Sequence, residues 1–246
     1  MKKKIIRTAF IILLILPLAA FSHFLFFPQE TRCMLIRFAD FEKKENIYFR
    51  KNTASGKINE LLVKRSMAEK RVNEFWKKNS VLDYDFVYCD NEQDFNDYGH
   101  AGAPAVTQLK MGAWIVLQEE SLDVDIIAHE ISHTVLYNNI GWYKTRFTIP
   151  AWFNEGLAMQ VDDRDYYSVD SLMEKKRSGV QLPDITKMKN MGDFLSGSHE
   201  QVMLNFSTAK YVVQEWLKTH SLQNFIEAIR NGKSFEQAYT GKAEKK

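Results

Sequence analysis

The sequence predicts an α+β domain: a small mixed or antiparallel sheet with an edge strand beside one long helix, followed by a helical C-terminal lobe. Three observations predict it. Short apolar runs with strand character fall at residues 84–89 and 111–117. Residues 121–138 carry apolar side chains at i, i+3, i+4 and i+7, the stripe of a core-facing helix. Beyond residue 200 the apolar positions keep helical spacing and no further strand signal occurs.

The elements follow in order. Lys2, Lys3, Lys4 and Arg7 precede residues 8–27, a stretch of 20 without Asp, Glu, Lys or Arg. That length just suffices to span a bilayer, and the basic residues ahead of it predict an exported domain. A cleaved signal peptide is the rival, with Ala20-Phe21-Ser22 as the processing site. The apolar run continues through Phe24-Leu25-Phe26-Phe27, which favours an uncleaved anchor. The chain thus divides into 1–28 as membrane anchor or signal peptide, 29–240 as one domain, and 241–246 as a frayed tail. About 215 residues follow the anchor, enough for one domain with a substantial core.

Residues 33–39 read as a strand, 42–53 as a polar loop and 56–79 as a helix. The helix has Ile58, Leu61, Leu62, Met67, Val72 and Phe75 inside and a solvated basic face outside. Residues 90–104, rich in Asp, Asn and Gly, read as a loop with one turn of helix, and 111–117 as the edge strand. The helix at 121–138 has Val124, Ile127, Ala128, Ile131 and Val135 as its core stripe. Asp123 and Asp125 sit at its positive end and Gly141 stops it. A connector at 179–191 leads to helices at 201–220, 222–230 and 235–239. The two cysteines, Cys33 and Cys89, are either one disulfide between neighbouring strands or two buried thiols. Hydrophobic content of 45%, charged content of 26% and a net charge of +2 are globular values, with no electrostatic footprint for nucleic acid.

The chemistry concentrates in His129-Glu130-Ile131-Ser132-His133. His is scarce, 6 in 246 residues, and here two stand four apart with a glutamate after the first. Positions i and i+4 share a helix face, so both imidazoles can reach one cation, and Glu130 lies about 100° round the helix as a base. This is the H-E-x-x-H arrangement of zinc hydrolases. The plain alternative is a pair of surface histidines beside a solvated acid.

A catalytic zinc takes three protein ligands and leaves one position open. A third His six residues past the second, with Gly three past it, is ruled out by Asn139 and Leu136. Downstream lies Pro150-Ala151-Trp152-Phe153-Asn154-Glu155-Gly156-Leu157-Ala158, an apolar element with Pro150 at its start and one acid inside. A buried carboxylate needs a partner, and a metal ion is one; a salt bridge within its own helix is another. Asp162 and Asp163, in a polar run that reads as exposed, are weaker candidates. Gly156 lets two helix backbones approach closely.

Together these segments resemble the gluzincin metallopeptidases of the peptidase MA-like family, which carry H-E-x-x-H and then W-x-x-E-G-x-A. Here those are His129 to His133 and Trp152-Phe153-Asn154-Glu155-Gly156-Leu157-Ala158. The resemblance implies a zincin-like domain with one Zn2+ held by His129, His133 and Glu155, and Glu130 as general base. It implies a peptide or protein substrate laid along the edge strand, with Gly112, Ala113 and Trp114 as the substrate-binding residues. The aminopeptidases of this clan have a Gly-Ala-Met-Glu-Asn strand; Gly112-Ala113-Trp114-Ile115-Val116 lacks its acid, and Glu119 and Glu120 just beyond read as solvated. An oxyanion donor from a later helix is implied too. Tyr211 is the candidate, with a core aromatic as the alternative reading and His199 and His220 as rivals.

The resulting expectation is a zinc-dependent, membrane-anchored peptidase acting outside the cytoplasm, or secreted if the N-terminal segment is removed. Two alternatives stand beside it: a catalytically idle zinc- or protein-binding domain on the same scaffold, and a zinc amidase acting on cell-envelope material.

Overall fold

The computed structural model describes residues 22–100 and 102–241. The anchor expected within 1–28 lies largely outside them, as does the tail from residue 242. Among the described residues no helix is long and apolar enough to cross a membrane.

Five strands form one mixed sheet: β1 (Phe41–Lys44), β2 (Ile47–Arg50), β3 (Asp85–Cys89), β4 (Ala105–Gln108) and β5 (Trp114–Gln118), in the order β1-β2-β3-β5-β4. The pairs at the two rims, β1 with β2 and β4 with β5, are antiparallel; β2–β3 and β3–β5 are parallel. Period-two alternation gives the sheet two apolar faces. Phe86, Tyr88, Ile115 and Leu117 face the main core with α2 (Ser55–Trp76) and α4 (Val124–Ile140). Val87, Cys89 and Val116 face a smaller cluster closed by α1 (Pro28–Leu35) and α3 (Glu92–Tyr98).

Helix α4 is set by its own sequence. Asp123 caps it by accepting from the amides of Asp125 and Ile126, and Gly141 ends it at φ +79°, where a side chain would be strained. Its rotation is fixed against α2: Trp76 Nε1 donates to Ser132 Oγ at 2.9 Å, both side chains being buried. After α5 (Trp142–Phe147) comes α6 (Ala151–Ala158), with Pro150 as its N-cap residue. The lobe is completed by α7 (Val169–Arg177), α8 (Met191–Phe194), α9 (His199–Leu217), α10 (Leu222–Arg230) and α11 (Phe235–Thr240). The rings of Phe153, Trp216, Phe225, Phe235 and Tyr239 interlock at its centre. A Cβ at Gly156 would stand 2.5 Å from Val213 Cγ2 and 2.7 Å from the Ala209 carbonyl oxygen, so glycine is what lets α6 lie on α9.

The structure departs from the sequence reading in several places, among them α3, about two turns of helix where one was read, and three others. The expected strand at 33–39 is the end of α1 and a 3-10 turn: Pro28 starts a helix, and Cys33 and Ile36, three apart, are the buried pair. The expected loop at 42–53 contains the hairpin of β1 and β2. The charges of β1 mark a solvated rim strand, while Ile47 and Phe49 alternate inward on β2. The edge strand beside α4 is β4, whereas β5, the strand anticipated there, is hydrogen-bonded on both sides. Cys33 and Cys89 are both free and buried, and burial pushes both thiols up.

Two predictions follow from the packing. Gly156→Ala forces α6 and α9 apart and costs about 1–3 kcal/mol, read as a fall of several degrees in Tm. The second concerns Asp94, buried at the start of α3, which receives Arg50 Nε at 2.9 Å. Hydrogen bonding to Arg50, against the cost of burial, holds the Asp94 carboxyl below its usual range. Its contribution is therefore present above the unfolded pKa, near 3.9, and fades as pH falls through the lower folded value. Denaturant titrations of wild type and Asp94→Asn differ by on the order of 1–2 kcal/mol at neutral pH, and the gap closes below about pH 4.

Candidate metal centre

The two histidines of α4 project from one face, with ring centroids 4.8 Å apart and Nε2 atoms 3.1 Å apart. Glu155 reaches them from α6. Its Oε2 lies 3.2 Å from His129 Nε2 and 3.5 Å from His133 Nε2. Three donor atoms from two helices thus face one point, and all three residues are buried. Glu155 is not spent on a salt bridge within its own helix.

The electrostatics of this cluster favour positive charge beside Glu155. Burial opposes charge on His133, but the Glu155 carboxylate outweighs it and pushes the imidazole up to about 9. Burial likewise opposes the Glu155 anion, and the two imidazoles overcome it, holding the carboxyl well below its usual range. Two imidazole nitrogens and a carboxylate oxygen form a set suited to zinc, and three is the number a catalytic site uses. The outward nitrogens fit as well. His133 Nδ1 meets Asn154 Oδ1 at 3.0 Å. His129 Nδ1 is buried without a hydrogen bond and looks onto Asp162 Oδ2 at 3.8 Å. Backing of a ligating imidazole by an amide or carboxylate fixes its tautomer and orientation. Asp162 is in turn gripped by Arg164, whose Nε lies 2.9 and 3.1 Å from its two carboxylate oxygens.

Glu130 stands apart from the three donors. It is buried, and its Oε2 accepts from the Thr107 hydroxyl of β4 at 2.5 Å. Thr107 pairs with Ile115, so both point to the α4 side of the sheet. Phe206 of α9 closes another side, its ring 6.2 Å from that of His129, and Tyr167 lies 5.8 Å beyond it. Burial, opposed by Arg164 and helped by the nearby acids including Glu155, pushes the Tyr167 phenol up to about 12. It is a neutral donor at physiological pH.

The structure brings together His129, His133, Glu155 and Glu130. It does not bring Tyr211 to them. Tyr211 is five positions beyond Phe206, about 140° round α9, and lines an outer groove with Trp216, His220 and Tyr239. His199 is exposed at the start of α9. Trp114 belongs to the opposite face of the sheet, packed on Tyr48. Ala113 contributes its carbonyl to the Asp85 amide, and Gly112 occupies the β4–β5 turn at φ +108°. Glu119 pairs with Lys57, and Glu120 is exposed.

Thr107, Asn154 and Tyr167 escaped the sequence reading as members of this site, and Asp162 entered it only as a weaker candidate ligand in a run read as exposed. Asn154 adjoins Glu155, a usable signal. Asp162 sits in a charged run, yet it is fully buried, because Arg164 and the Lys210 ammonium at its carbonyl satisfy it.

Asn154→Ala and Asp162→Asn each weaken zinc binding about 10–100-fold, measured by competition with a chromophoric chelator. Glu120→Gln, at an exposed position, leaves that affinity unchanged. No protein-family profile, curated protein or solved structure matches this chain.

Proposed function

We infer that this protein is a zincin-like, zinc-dependent peptidase of gluzincin type, tethered by its N-terminal segment and acting outside the cytoplasm. The observation that carries the reading is the convergence of Glu155 on the two imidazoles, with Glu130 held beside them and outside the ligand set. A bare structural site needs the three ligands and has no use for that fourth acid.

His129, His133 and Glu155 would hold the zinc, with Asn154 and Asp162 orienting the two rings. A zinc bound there supplies Lewis acidity toward a carbonyl and lowers the pKa of water. Glu130 accepts the proton of the attacking water and returns it to the departing amine. The Thr107 hydroxyl engages one Glu130 oxygen and leaves the other for that exchange. Tyr167, a neutral phenol whose ring packs on Phe206 beside His129, is our candidate for the oxyanion donor, the role anticipated for Tyr211. The free rim of β4 offers backbone amides and carbonyls to an extended peptide, which favours a peptide over a compact substrate.

The test combines metal content with hydrolysis of a peptide panel by wild type, Glu130→Gln and Glu155→Ala. Wild type and Glu130→Gln bind one zinc each, and Glu130→Gln is slower by about 10²-fold or more. Glu155→Ala loses the metal. Equal hydrolysis by wild type and Glu130→Gln, or no zinc in either, would overturn the reading; zinc without peptide hydrolysis in the wild type favours the idle or amidase alternatives.

A further inference from the structure

Helix α5, just past the metal-binding helix, exposes its large side chains to solvent. Tyr143 is 67% and Phe147 63% exposed. The β4–β5 turn meets it, and Phe27 meets that turn. Lys110, in the β4–β5 turn next to the exposed Met111, lies over the ring of Phe27 and 5.9 Å from the ring of Trp142. Phe27 is the last residue of the uncharged stretch 8–27, and Leu25 and Phe26 beside it are exposed as well. Continuous apolar exposure of this kind marks a surface that something covers. Lys110, Lys144 and Arg146 lie here, residues 141–149 contain no Asp or Glu, and Glu30, three residues past Phe27, is an acid close to the patch in sequence. Trp, Tyr and Phe set among Lys and Arg are the side chains that settle at a membrane–water boundary.

The position of this patch relative to the site can be gauged along two routes. Thr107, which touches Glu130, is three residues from Lys110, roughly 10 Å along an extended strand. His133 is eight residues from Gly141 along α4, roughly 12 Å. Strand β4 runs from the site towards the patch, so a chain added to its rim would do the same.

We propose that the α5 face, together with the β4–β5 turn, lies on an anionic lipid surface, and that the site acts on the membrane-proximal segments of lipid-embedded or lipid-anchored polypeptides. The occupant is a bilayer because the 20 uncharged residues at 8–27, long enough to insert in one, lead directly into the patch at Phe27. The substrate class rests on the peptidase reading above; the lipid contact does not.

The experiment uses the full chain reconstituted in vesicles of phosphatidylglycerol and phosphatidylethanolamine. An environment-sensitive fluorophore is placed at Tyr143→Cys, or at Glu42→Cys on the opposite rim of the sheet; the native Cys33 and Cys89 are buried. The Tyr143 label shifts to the blue and is quenched by lipid-borne quenchers, while the Glu42 label stays water-like. A water-like Tyr143 label, or a shift that follows protein concentration and not lipid, overturns the lipid contact and favours a protein partner or a second copy.

The second arm maps cleavage of a long, lipid-tethered peptide of repeated sequence. Wild type cuts within a narrow window beginning roughly four residues from the lipid, the extended length that covers the height of the site. In Tyr143→Asp/Phe147→Asp the cuts spread along the chain. Cuts spread in the wild type overturn the substrate class. No cutting of tethered or free peptide removes it along with the peptidase reading, and leaves the fluorophore result to decide the surface alone.

Discussion

One carboxylate governs this structure. Glu155 is buried, and burying a charge is expensive unless opposite charge or a metal meets it. Everything around it serves that requirement. Helix α4 brings two imidazoles from one face, and α6 carries the acid to them. The α6 backbone can sit deep enough because Gly156 allows it to lie against Ala209 and Val213 of α9. The ring of His129 is closed in by Phe206, and the outward nitrogens face Asn154 and Asp162. The Glu155 carboxylate favours positive charge on His133, as it would favour a cation between them.

Much of this was legible in the chain. Helix α4 announced its start with Asp123, its stop with Gly141 and the shared face of its two imidazoles by their spacing, because capping, turn and periodicity are local properties. Glu155 was legible for a related reason: a lone acid among apolar neighbours after a helix-starting proline has few ways to be satisfied. Gly156 was legible through the same logic of close approach.

What escaped was set by tertiary pairing. Strand β4 is four residues long and has no pattern of its own; it exists because β5 pairs with it, and with it came Thr107. The β1–β2 hairpin reads as a loop because a solvated rim strand carries charges. Asp162 looks exposed until Arg164 and Lys210 close around it. Tyr211 and Tyr167 show the limit from the other side. The first has good helical context but the wrong azimuth on α9, and the second lies in a polar run that folds back over Phe206. The family resemblance suggested a tyrosine on a later helix; the packed chain puts Tyr211 on an outer groove and Tyr167 against Phe206.

The free thiols of Cys33 and Cys89 carry a last consequence. They sit on the face of the sheet away from the imidazoles, packed as small hydrophobes with weak nucleophilicity. No covalent cross-link fastens the sheet, so maturation of the domain needs no oxidase and its integrity is indifferent to the glutathione poise of the compartment around it. What brings Glu155 to the imidazoles is the docking of α6 onto α9, a matter of packing and not of sulfur chemistry.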